Sequence, residues 1–143
     1  MDRGQITLRL RSCGYLLVFL ALVFSVAGCN TTGSEGPVWI DKMVITSGID
    51  ANGDPIDEVE VFPQGVKRVN CFIAIRGPEN VQLGVRWFRD DQLLGQGAIP
   101  FDTQRKNYAF IAGPENGPLM PGTYRCEVFA IQEPLRSATF RVE

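Results

Sequence analysis

From residue 38 to residue 143 no stretch keeps a helical spacing of apolar residues for three turns. Instead Gly, Pro, Asn and Asp divide the chain into short runs of strand formers. Strands are predicted near 38–47, 58–62, 67–76, 81–90, 92–99, 107–111, 122–130 and 136–142, so this part of the chain is all-β. Three runs show which side faces inward, because side chains alternate across a strand with period two. Val69, Cys71, Ile73 and Ile75 share one face; so do Val81, Leu83, Val85 and Trp87, and so do Tyr124, Cys126, Val128 and Ala130. Two cysteines and one tryptophan are thereby directed into a single core.

A core Cys, a Trp on the following strand and a late Tyr-x-Cys, here Cys71, Trp87, Tyr124 and Cys126, resemble the signature of the immunoglobulin fold. The resemblance spans 38–143 and implies a single Ig-like β-sandwich, with Tyr124 as the tyrosine corner entered through the turn "MPGTY". It also implies a Cys71–Cys126 disulfide; two buried free thiols are the alternative.

Residues 1–28 are of another kind. Arg3, Arg9 and Arg11 precede an apolar run from Tyr15 to Ala27. A helix of that length reaches about 20 Å, short of the roughly 30 Å hydrocarbon core, and fits a cleaved export signal better than a permanent span. The run ends in "VAGC", residues 26–29, which resembles the lipobox of bacterial lipoproteins. The resemblance implies that Cys29 takes a diacylglyceryl group and becomes the first residue of the mature chain. Residues 29–37 then read as lipidated cysteine and flexible tether. The expected location is a bacterial cell membrane or outer membrane, with the domain on the extracytoplasmic side.

Removing Asp2 and the three leader arginines takes the net charge from −2 to about −4. That leaves no basic stripe for nucleic acid and no polybasic patch for anionic lipid. The chain contains no histidine, which removes the commonest general base and the usual zinc ligand. Asp90 and Asp91 in "RDDQ" are the nearest thing to a carboxylate pair, but they read as a polar hairpin turn, and the chain is not expected to be an enzyme. "GPEN" at 77–80 and 113–116 is ordinary turn chemistry.

Asp50, Asn52 and Asp54 repeat the D-x-N-x-D spacing of a calcium loop, but Pro55 and Val61 stand where an EF-hand needs Gly and Glu, so a polar turn is the stronger expectation and no cofactor is required. If Trp87 and Cys126 point inward, Phe88 and Phe129 point outward, with Arg86, Arg125 and Glu127 on the same face. Two phenylalanines ringed by charge are a candidate docking face for an envelope protein, unless the 92–106 segment folds over them. The leading expectation is a membrane-anchored accessory or structural subunit of a cell-envelope complex. The alternative is a recognition module for carbohydrate or another ligand, calcium-dependent or not, with Tyr108 and Phe110 beside Arg105 and Lys106 lining its site.

Overall fold

The structure, a computed structural model, describes residues 36–143. The predicted leader, the lipid site at Cys29 and nearly all of the tether lie outside the described residues.

Eight strands follow one another: β1 (Trp39–Thr46), β2 (Val61–Phe62), β3 (Arg68–Arg76), β4 (Val81–Arg89), β5 (Gln92–Phe101), β6 (Lys106–Ala112), β7 (Gly122–Ala130) and β8 (Glu133–Val142). A single turn of 3₁₀ helix, Pro114–Asn116, lies between β6 and β7. The strands form a three-stranded sheet in the order β1-β3-β6 and a five-stranded sheet in the order β2-β8-β7-β4-β5. All pairings are antiparallel except the short parallel one of β2 with β8.

The inward faces are those the period-two pattern predicts. Val69, Cys71 and Ile73 on β3 meet Leu83, Val85 and Trp87 on β4 and Tyr124, Cys126 and Val128 on β7 in one buried cluster, with Val81 and Ala130 packed at its margin. Phe140 of β8 is its aromatic centre. Its ring stacks on Tyr124 at 4.9 Å and meets Trp87 and Phe62 edge-on at 6.5 and 5.5 Å. The Tyr124 hydroxyl donates to the Met120 carbonyl at 2.7 Å, so the buried phenol is satisfied by the backbone just upstream. That is the geometry of a tyrosine corner.

Two strand starts differ most from expectation. β2 begins at Val61, three residues late, because the chain before it bonds elsewhere: the Val59 amide donates to the Ile45 carbonyl of β1 at 2.9 Å. β8 begins at Glu133, three residues early, since the β7–β8 hairpin needs only Ile131 and Gln132 for its turn.

The Cys71–Cys126 disulfide is corrected: both are free thiols, wholly buried and next to each other across the two sheets. Exchange and oxidation need a thiolate. Burial, and then the neighbouring Cys71 thiol, push the Cys126 thiol well above its ordinary range, so the reactive form is suppressed. Native protein that begins at a lipidated Cys29, prepared without reductant, is therefore expected to take up no alkylating agent, and the same protein unfolded to take up two equivalents, on Cys71 and Cys126. Unfolded chain that takes up none would show that the pair oxidises before the core closes.

Candidate functional site

The outer face of the five-stranded sheet was the first place to expect docking, and there the expected residues do come together. Register pairs Gly84 with Phe129, Arg86 with Glu127 and Phe88 with Arg125 across β4 and β7. The phenylalanines are not open, however. The Arg86 guanidinium lies 3.9 Å from the Phe129 ring centre, and that of Arg125 lies 4.3 Å from the Phe88 ring centre. Glu127 sits between the arginines, 3.6 Å from Arg86 and 3.4 Å from Arg125. Asp91 and Gln132 hold their outer ends, at 3.7 and 2.9 Å. Each guanidinium thus covers a ring and meets a carboxylate, which leaves this face half-buried and self-contained. The 92–106 segment does not cover it: residues 92–101 are β5, lying alongside β4 in the same sheet.

The Asp50–Asp54 loop is likewise closed by its own bonds. Asp50 Oδ1 accepts the backbone N–H groups of Asn52 and Asp54 at 2.8 and 2.9 Å. The Lys106 ammonium lies 2.9 Å from Asp54 Oδ1, so a cation of the protein's own already sits against this carboxylate. The D-x-N-x-D spacing here serves an Asx turn rather than a converging ligand set, and no group of three metal-ligating residues occurs among the described residues.

Further along the same loop, Asp57 ties the chain to the end of β1, accepting from the Thr46 hydroxyl at 2.7 Å, the Ser47 amide at 2.8 Å and the Ser47 hydroxyl. The Ser47 hydroxyl first, then the Ser47 amide and the Thr46 hydroxyl, hold its carboxyl below the ordinary value of 3.8. A carboxyl lowered on folding contributes stability above its unfolded pKa and loses it as pH falls through the folded one. Asp57→Asn should therefore be less stable than wild type at pH 6, with the difference starting to shrink as pH falls below about 3.8 and gone below the lowered folded pKa. Denaturant unfolding at a series of pH values checks this, and a difference that persists unchanged to low pH would contradict it.

The open feature of the domain is a groove along its side. β5 ends the five-stranded sheet and β6 ends the three-stranded one, with no strand beyond either among the described residues. Between these two edges runs a largely apolar channel of about 750 Å3. Val85, Trp87 and Tyr124 form its floor, and Leu94, Tyr108, Phe110 and Met120 are among its walls. Those four wall residues are 39 to 55% exposed, so a good part of the lining is available to another molecule. Arg68 lies against one side of the Phe110 ring at 3.9 Å.

The sequence points to Tyr108 and Phe110 but not to Leu94 or Met120. Leu94 is the extra residue of a β-bulge, since Phe88 pairs with Leu93 and Trp87 with Gly95. A signal for the groove was present: residues 92–101, "QLLGQGAIPF", carry no charge, which is unusual for a strand that lies at an edge.

No family model matches the chain, and no curated protein matches it in sequence. Among solved structures, an immunoglobulin-like protein from Pseudomonas aeruginosa aligns with 78% of this chain and 100% of its own, with a TM-score of 0.55 and 15% identity. The fold is immunoglobulin-like. Two looser likenesses cover 78 and 73% of the chain. One is to Pseudomonas fluorescens alkylpurine DNA glycosylase AlkC, of which 32% is matched at TM-score 0.46 and 14% identity. The other is to the CARDB domain of a Pyrococcus furiosus protein, of which 93% is matched at TM-score 0.43 and 15% identity.

Proposed function

We propose that this chain is an exported, lipid-anchored protein whose Ig-like domain binds another protein of the cell envelope, as an accessory or structural subunit. The observation that carries the reading is the groove. Two strand edges with no partner strand, bridged at one end where Asn107 donates to the Pro100 carbonyl and accepts from the Tyr108 amide, flank an apolar floor, an arrangement suited to an extended segment of a partner that adds backbone hydrogen bonds at an edge and places alternate side chains in the channel. The "VAGC" leader supports the anchor, with Cys29 carrying the lipid. The Arg86–Phe129 and Arg125–Phe88 stacks move the docking site away from the outer face of β4 and β7. Binding rather than catalysis is supported by the lack of histidine and the burial of both core thiols.

The alternative reading, recognition of a carbohydrate or similar ligand, is favoured by the exposed rings of Tyr108 and Phe110 on one wall of the same groove. Affinity capture of the tagged, lipidated protein from native membranes separates the two. A stoichiometric partner lost with Leu94→Asp/Phe110→Asp and kept with Phe88→Asp/Phe129→Asp supports the docking role. A partnerless wild type whose groove rings respond to added oligosaccharide supports the alternative.

A further inference from the structure

The end of the sandwich where the tether joins the domain carries its own exposed apolar groups. The start of β1, the β3–β4 turn at 77–80, the β5–β6 turn at 102–105 and the β7–β8 turn at 131–132 all meet at that end. They are tied together: Arg136 donates to the Ile40 carbonyl at 3.2 Å, the Ile75 amide to the Arg105 carbonyl at 2.8 Å, and the Arg105 guanidinium to the Gly77 carbonyl. Two large apolar side chains project from this end without joining the core, Trp39 at 59% exposure and Ile131 at 97%.

Ile131 is also conformationally out of place. It stands at φ +47 in the two-residue β7–β8 turn, a left-handed backbone that a β-branched residue adopts only under strain. The β4–β5 hairpin of the same sheet points to the opposite end and makes the same kind of turn, with φ of +47 and +65, using Asp90 and Asp91. Aspartate tolerates that backbone and suits water. Isoleucine does neither, and at this position it returns no packing to the domain.

Cys29 lies seven residues before Gly36, which limits the separation of the lipid and the domain to about 25 Å even with the chain fully extended. The charges near Trp39 are compensated: Asp41 pairs with Arg76 at 2.8 Å and Glu79 with Arg105 at 3.9 Å. An amphipathic indole on such a surface suits the headgroup region of a bilayer.

We propose that the tether end of the domain rests on the lipid bilayer, with Ile131 inserted among the acyl chains and Trp39 at headgroup depth. This rests on the lipoprotein reading and goes beyond it, since a lipid tether alone would leave the domain free to tumble. It also stands the β5–β6 groove on the side of an upright domain, where a partner in the same membrane can reach it.

The chain has two tryptophans, and Trp87 is shielded in the core, so quenching of indole fluorescence by lipid-borne bromine reports on Trp39. The test reconstitutes the full lipidated protein in vesicles of phosphatidylcholine with brominated acyl chains, using plain phosphatidylcholine as reference, after intact mass has established the state of Cys29. Bromine is expected to quench the emission. The quenching should be lost in Trp39→Phe and reduced in Ile131→Asp, while Ile131→Gly should reduce it and raise the thermal midpoint by relieving the turn.

A lipidated chain whose emission is the same in both vesicles overturns the orientation while the lipoprotein reading stands. A chain recovered with Cys29 unmodified overturns both. A fall in the midpoint of Ile131→Gly would mean that Ile131 serves the fold, and would remove the strain from the case.

Discussion

Phe140→Ala is expected to cost about 3–5 kcal/mol of stability, the range for removing a buried aromatic that leaves a cavity behind. The residue is 2% exposed and meets three other rings of the core: Tyr124 by stacking, Trp87 and Phe62 by their edges. Its loss would leave three aromatic neighbours facing one void, with Trp87 and Tyr124 pinned on other strands and unable to close it. A domain of this size is held by only about 5–15 kcal/mol, so the variant should be substantially unfolded at modest urea. Equilibrium unfolding checks the value, with Thr139→Ala on the exposed side of the same strand expected within about 0.5 kcal/mol of wild type. A loss below about 1 kcal/mol for Phe140→Ala would mean that the aromatic cluster is not the centre of the core.

Gly84→Ala is the second large effect, and its sign should depend on a residue across the sheet. Phe129 is the cross-strand partner of Gly84, and its ring lies on the glycine so closely that an added Cβ would stand 2.2–2.5 Å from three ring atoms. The ring must leave and the Arg86 stack must break, at a cost of about 1–3 kcal/mol. In a Phe129→Ala background the obstruction is gone. Alanine should then be better than glycine by about 0.5–1 kcal/mol, because glycine is a poor strand residue. A double-mutant cycle measured by denaturant unfolding checks this. Simple additivity of the two changes would contradict the packing described here.

The parts of the fold that were legible in the sequence are those carried by one strand at a time. Val69 to Ile75, Val81 to Trp87 and Tyr124 to Ala130 each display an inward face by alternation alone, and the Cys, Trp and Tyr-x-Cys positions identified the sandwich. The limits of β8 were hidden, because Ile131 and Gln132 are not residues that announce a turn and Pro134 reads as a break. The pairing of Cys71 with Cys126 in space was legible, but the state of their sulfurs was not, since alternation places a thiol without deciding its oxidation.

The site was harder to read because it depends on neighbours remote in sequence. Alternation placed Phe88 and Phe129 outward. That Arg125 and Arg86 cover them follows from the cross-strand register of β4 with β7, which no single strand contains. The groove is more remote still, since its walls are the edges of two different sheets. The Asp50–Asp54 stretch forms the polar turn expected of it, but short-range spacing cannot show that Lys106, fifty-two residues away from Asp54, sits against that carboxylate.

The most direct test of the central claim is amide hydrogen exchange on the captured complex, compared with the free protein. Unpaired edge amides exchange readily in the free domain and slow when another strand bonds to them. Docking in the groove predicts protection concentrated in Gln92–Phe101 and Lys106–Ala112, with β4 and β7 little changed. Protection confined to β4 and β7, with the two edges as open as in the free domain, would contradict it.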